Sequence, residues 1–417
     1  MKASARSFWL NAISGAFVGL AEALVDTRVV MSAFLSLLTD SNVLISFIAP
    51  MREAGWWLPQ FFVSGWVERT PRKADLYRAT NLWRIFSWLA LIACAFTLKG
   101  LPLLLAFAIC MVPISIGAGI AGLPWTVITA KTIPPGRRGS LFAWRNGLAS
   151  ILGIAGGGVI AYILNGGLGL GFPQNYGAVF AVAALMYVIG YALMGMVQDD
   201  PDVPPAPSNL RDQAKRALKL VKTSHDYRWF LISRSLISLG YACAPFFAVY
   251  ARRELNVSGG QLGSFVSVSL IAGLIGNWIF GKIGDSRGHK VIFLFAITCG
   301  IVMALDGAVL VATRFMPELQ LYAAYALSGL LTSALAVSFG PLMMDVTPTE
   351  NRSLYYGFTH TLLGISVIIS GFIGFLADAV GLTWLFMFSC VVFAGSLLAM
   401  AQVHRFPAKS IHVAATA

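Results

Sequence analysis

Glu22, Asp26 and Glu53 are carboxyl groups set inside long apolar runs of a 417-residue chain. Apolar surroundings favour the protonated form of a carboxyl and a nearby arginine favours the charged form, so such a group can take up and release a proton as its neighbours change. The same runs carry Arg28, Arg52, Arg84, Arg145, Arg234 and Asp306. Ionisable side chains in membrane-spanning sequence mark solute or proton pathways by default, because the bilayer penalises them. Arg52 and Glu53 fall about 15 Å into the second run at ~1.5 Å per residue. Glu22 and Asp26 stand four residues apart and are expected to share one helix face. Arg145 could bind an anionic group. Static pairs of Asp26 with Arg28 or Arg52 are the competing structural reading.

These groups need apolar elements to hold them. The chain is 57% hydrophobic and 12% charged, against about 25% charged in soluble domains, and its mean hydropathy is +0.75. Apolar runs recur at about 20 residues, the length that a bilayer demands of a helix. The expected fold is all-α, a polytopic membrane protein of twelve transmembrane helices. The first run follows Lys2 and Arg6 and is too long for a signal-peptide core, so it reads as a retained first span. The five cysteines all lie in apolar runs and show no metal or disulfide spacing. The net charge of +12 would suit nucleic acid in a soluble protein. Here 21 of the 30 Lys and Arg residues fall at one set of span ends, which places both termini in the cytoplasm instead.

The chain divides into residues 1–197, a linker 198–228 and residues 229–417, two six-helix bundles related by pseudo-symmetry. The linker begins "QDDPDVPPAP", an extended stretch, and continues "NLRDQAKRALKLVK", a basic amphipathic helix for the membrane surface. "FGKIGDSRGHKVIF" (280–293) matches "SGWVERTPRKADLY" (64–77): Glu68 aligns with Asp285 and Lys73 with Lys290, both at an offset of 217. Arg138 and Arg352 align after the fourth and tenth spans.

The stretch Gly281-x-x-x-Asp285-x-x-Gly288-x-Lys290 resembles the loop signature of the major facilitator superfamily, in its place between spans 8 and 9. The copy between spans 2 and 3 is degenerate, with Glu68, Arg69, Arg72 and Lys73 in register but Ser64 and Pro71 where glycines are usual. The resemblance implies two bundles around a central cavity, lined by spans 1, 4, 7 and 10 and flanked by 2, 5, 8 and 11. On that arrangement Glu22, Asp26, Arg52, Glu53, Arg145, Asn146, Arg234 and His360 are the candidates for solute or proton handling. Arg145–Asn146 and Thr359–His360 occupy equivalent places in spans 5 and 11 and would form the lower cavity wall. Gly288 is free to adopt the positive φ of a tight turn. Asp285 is the charge that basic-loop logic leaves unexplained; the start of span 5, near Gly139, offers unpaired N–H groups to an anion. The motif would then latch the cytoplasmic side shut, with Glu68 facing the start of span 11.

The glycine-rich "GLASILGIAGGGVIAYILNGG" (147–167) resembles in part the antiporter signature of that family, although the Gly-Pro pair is replaced by Gly156-Gly157. Span 4 lacks the arginine that many proton antiporters carry. The expected function is secondary transport of a small organic solute by rocker-switch alternating access in a bacterial inner membrane, with proton coupling as an option and a slight lean to efflux. An uncoupled facilitator or importer, and a non-transporting assembly factor or receptor, are the alternatives. The expected partners are the solute, the bilayer and, if coupled, protons. No enzyme activity, cofactor, metal or nucleic acid is expected, and the chain would act as a monomer.

Overall fold

With no water in the hydrocarbon core to satisfy backbone groups, a long apolar run is stable there only as a helix or a closed barrel. The computed structural model takes the first course and describes residues 2–201, 210–347 and 352–404. Among the described residues there are no strands, and eleven helical stretches are long and apolar enough to cross a membrane. The remaining rod, span 2, consists of three short helices end to end, Asn42–Ile48, Met51–Trp57 and Gln60–Arg69. The interruptions fall beside Pro50 and Pro59, which have no N–H to give to the preceding turn.

Span 1 is broken as well. The helix Lys2–Leu24 ends before Asp26, which caps a π-helical turn, Thr27–Met31, by accepting from the N–H groups of Arg28 and Val29. A short helix, Ser32–Ser36, completes the span. Span 7 has a similar joint, His225–Gly240 and Phe246–Glu254 meeting at a 3₁₀ turn, Tyr241–Cys243. Spans 3 to 6 are Lys73–Thr97, Gly100–Thr132, Pro135–Leu164 and Gln174–Gly195. Spans 8 to 10 are Gly259–Arg287, His289–Thr313 and Pro317–Val346. Span 11 comprises Arg352–Ser370 and Ile373–Val380, and span 12 is Leu382–Ala401. Between the halves lies the amphipathic helix Leu210–Thr223, whose Ala217 is buried against the helices it packs on, spans 7 and 11.

Within the first half, span 1 packs on spans 5 and 6, and span 3 on spans 4 and 6. The second half repeats this with span 7 on 11 and 12, and span 9 on 10 and 12. The halves meet where span 5 packs on span 8, span 2 on span 11, and span 1 on span 7. Aromatic rings fill the first half around Trp88, which stacks on Tyr187 (5.6 Å), itself stacked on Tyr191 (5.4 Å). Large apolar side chains such as Phe86, Ile109 and Leu398 cover the periphery, where lipid replaces water.

Gly288 joins spans 8 and 9 at φ 85°, ψ 160°. This region is essentially reserved for glycine, so Gly288→Ala is expected to destabilise the protein by about 1–3 kcal/mol. Thermal unfolding of the purified variant measures this, and an unchanged melting temperature would contradict it.

Candidate functional site

A cavity of about 790 Å³ opens between the halves. Its lining runs from Arg28 and Tyr241 at the interrupted turns of spans 1 and 7 to Tyr77 and Trp125. These last two lie within about two helical turns of the face that carries the linker. Opposite this linker face is the far face, where the halves are joined. Asp378 of span 11 accepts from the N–H groups of Asn42 (3.1 Å) and Val43 (3.3 Å), the first residues of span 2. At the equivalent place, Asn165 at the end of span 5 accepts from the N–H of Gly260 at the start of span 8 (2.9 Å). Arg253 donates to Asn42 Oδ1 (2.9 Å) and to the Thr39 carbonyl (2.7 Å).

The glycine-rich span 5 shows how the separation changes with depth. Gly157 is in backbone contact with Gly263 of span 8, and a Cβ on Gly153 would lie 2.8 Å from Leu270. Toward the linker face, a Cβ at Gly147, Gly139 or Gly136 of span 5, or at Gly281 of span 8, would meet nothing within 4 Å. The halves are therefore joined at the far face, and spans 5 and 8 part toward the linker face, while spans 2 and 11 stay in contact further down, with Phe61 against Gly357 and Phe358. Gly139, the expected docking point for Asp285, faces open space. The side chains of Glu68 and Asp285, on which the latch expectation rests, lie outside the described residues.

Eight acidic and arginine side chains line the cavity: Glu22, Asp26, Glu53, Arg28, Arg52, Arg84, Arg145 and Arg234. Glu22 and Asp26 both line the cavity, although the helix ends at Leu24 between them. Each is committed to a different arginine. Glu22 is ion-paired with Arg52 and accepts from the Tyr187 hydroxyl (2.8 Å), while Arg52 also donates to Tyr187 (2.9 Å) and the Val25 carbonyl (3.3 Å). Asp26 is paired with Arg28 at 2.5 Å. Arg28 then reaches across to the second half, donating to the Tyr241 hydroxyl (2.8 Å) and to Ser328 Oγ (3.2 Å).

Glu53 differs. Among the described residues it has no ion pair or hydrogen bond, although Arg28, Arg234 and Arg52 are within electrostatic reach. It also borders a second cavity of about 30 Å³, on the far side of Arg28 and Tyr241, with room for one water. Glu53, Arg28 and Tyr241, with Thr27, Ser238 and Val367, thus form the partition between the two spaces.

The other arginines bond to neutral groups. Arg145 donates to the carbonyl (3.0 Å) and side chain (2.9 Å) of Asn11 and lies over the Trp125 ring at 4.7 Å. Arg84 donates to Asn81 Oδ1 (2.8 Å) and the Ile114 carbonyl (3.2 Å), with the Tyr191 ring 4.8 Å away. Arg234 donates to Ser238 Oγ (2.9 Å) and lies over Phe339 at 5.6 Å. Neither Asn146 nor His360 lines the cavity. Asn146 is exposed on span 5. His360 sits behind the wall between Trp57 and Phe339, its Nδ1 2.6 Å from Gln60 Oε1 of the other half. The basic residues of the turn motifs stay at the linker face. Lys290 donates to the Val403 carbonyl (2.7 Å), Lys73 donates to the Thr70 carbonyl (2.5 Å), and Arg69 and Arg72 are exposed.

Arg28, Arg84 and Tyr241 are not among the eight residues singled out from the sequence for solute or proton handling, yet all three line the cavity. Arg28 had a signal: an arginine two residues after a carboxyl in an apolar run, four residues beyond a helix end that only the structure reveals. No cluster of His, Cys, Asp and Glu able to hold a metal occurs among the described residues.

The chain matches the family model described as Major Facilitator Superfamily over residues 12–313 and again over 230–412. Its fold is similar to that of a D-xylose–proton symporter (TM-score 0.72, 15% identity, covering 96% of this chain and 98% of that one). It is also similar to the nucleoside transporter NupG (TM-score 0.75, 11% identity, 96% and 100%). A POT family transporter solved with 5-aminolevulinic acid is a third such structure (TM-score 0.72, 11% identity, 95% of each chain). At these identities the likeness is one of fold alone. The class H tetracycline resistance protein of Pasteurella multocida is 29% identical over 113 residues, 27% of this chain, and the match spans 27% of that relative's length.

Proposed function

We propose, from the premise that this chain belongs to the Major Facilitator Superfamily, that it couples the movement of a small organic solute to that of protons through Glu53. The protein is an integral membrane protein and a transporter of the solute-carrying kind. The two six-helix bundles, residues 1–197 and 229–417, rock about the central cavity, and one chain supplies the whole of it. The charge bias of the span ends supports a cytoplasmic linker face with both termini inside. On that orientation the cavity here faces inward. A bacterial resistance protein among the relatives and the glycine-rich span 5 support export from a bacterial inner membrane.

The observation that carries the coupling is the position of Glu53. Glu22 and Asp26 are held in ion pairs, whereas Glu53 is unpaired and borders the spaces on both sides of the partition. When the bundles rock, its surroundings alternate between apolar wall and arginine, which is what a proton carrier requires. The expectation for Glu53→Gln in proteoliposomes is loss of solute movement driven by a pH gradient, with solute-for-solute exchange retained. Gradient-driven movement at the wild-type rate would instead favour an uncoupled facilitator. No flux of any solute by the wild-type protein, together with copurification of a stable partner, would favour an assembly factor or receptor.

A further inference from the structure

We propose that the solute is an organic oxyanion, a carboxylate or phosphate group on a flat apolar body, and that Arg145, Arg84 and Arg234 bind its charge. This names the substrate class of the transport site above and rests on that reading. Five arginines face three carboxyl groups in the cavity. Two of the arginines, Arg28 and Arg52, are satisfied by Asp26 and Glu22. The other three have only neutral partners, and each keeps guanidinium nitrogens without a hydrogen bond among the described residues. These are Nη2 of Arg84, Nε and Nη2 of Arg145, and Nη2 together with the buried Nε of Arg234.

A guanidinium does not shed its proton in a protein. Three such charges beside apolar walls, with Glu53 as the single free carboxyl, leave an uncompensated positive field that an anion would neutralise. The guanidinium carbons of Arg145, Arg84 and Arg234 lie over the rings of Trp125, Tyr191 and Phe339 at 4.7, 4.8 and 5.6 Å. The nitrogens left unbonded are available for forked contact with an oxyanion, which lysine cannot reproduce. The groups come from both halves, Arg84 and Arg145 from spans 3 and 5 and Arg234 from span 7, so a bound anion would draw the halves together. The cavity volume is in the range of small-molecule sites, and Trp56, Trp57 and Trp125 provide the apolar surface for the body.

The test compares four probes with one bicyclic body: 1-naphthoate, 1-naphthyl phosphate, 1-naphthamide and 1-naphthylmethylammonium. A ligand that binds the folded state raises the melting temperature of the purified full chain. The carboxylate or the phosphate should do so and the amide and the ammonium should not. Arg145→Gln and Arg234→Gln should each weaken oxyanion binding by about tenfold or more, and Arg145→Lys should recover only part of it. The melting temperatures of these variants without probe report whether they fold. Equal binding of the amide or ammonium, no binding of either oxyanion, or full binding by both glutamine variants would overturn the proposal. Flux of the same probes in proteoliposomes separates the two claims. Transport of an amide or ammonium would overturn the anion class and keep the transport reading, whereas arginine-dependent oxyanion binding without flux would do the reverse.

Discussion

Arg28→Met is expected to abolish gradient-driven transport and to lower stability, the largest effect of any single change at the site. Arg28 neutralises Asp26 and ties span 1 to Tyr241 of span 7 and Ser328 of span 10. Removing one partner of a buried ion pair costs about 3–5 kcal/mol, and side-chain exposures of 19% and 13% place this pair toward the lower end. The double variant Asp26→Asn with Arg28→Met separates the two roles. It no longer buries a lone charge, and the asparagine oxygen can still cap the π-helical turn, so melting should recover toward wild type. The bonds across the partition remain absent, so transport should not recover. A double variant as unstable as the single one, or one that transports, would refute this division, since paired sites reveal coupling only in such a cycle.

Gly157→Leu is the second. A side chain at Gly157 would run into the Gly263 carbonyl and Ser267 Oγ, where spans 5 and 8 make backbone contact. Ser267 also donates to the Ile154 carbonyl (3.0 Å) along this seam. Overpacking a tight contact costs about 1–3 kcal/mol, and here the strain falls on the far-face seal. Transport should cease. A cysteine placed at Ala161 in a cysteine-free background should become reactive to a membrane-impermeant thiol reagent. Gly158→Leu is the control, because a Cβ at Gly158 meets nothing within 4 Å. If both variants behave alike, the seam does not seal the far face.

Hydropathy reports how much of a segment is apolar and how long it is, and that was enough for the all-helical membrane fold. The turn at Gly288 was legible for a different reason: a glycine between two spans with charged neighbours has few roles besides a positive φ. The site was less legible because a sequence reports depth along a helix but direction only while the helix is unbroken. Glu22 and Asp26 face one cavity but pair with different arginines, across a helix end at Leu24 that the spacing does not report. Asn146 is one residue from Arg145, and that step carries it out of the cavity wall. His360 lies at the expected depth yet turns toward Gln60. Span 2 is in three pieces, so no periodicity through Pro50 and Pro59 could assign Arg52 to Glu22 while leaving Glu53 unpaired.

The two caps at the far face, Asp378 on the start of span 2 and Asn165 on the start of span 8, are one contact made twice by a duplicated chain. On the rocking motion proposed above, the line between the two caps is an axle: the linker face would widen without either cap being released, once the His360–Gln60 and Phe61–Phe358 contacts of spans 11 and 2 part. Opening the far face permits no such economy, since both caps and the Arg253 contacts must part together. The two strokes of the cycle should therefore differ in kind, one a graded swing and the other an all-or-none release.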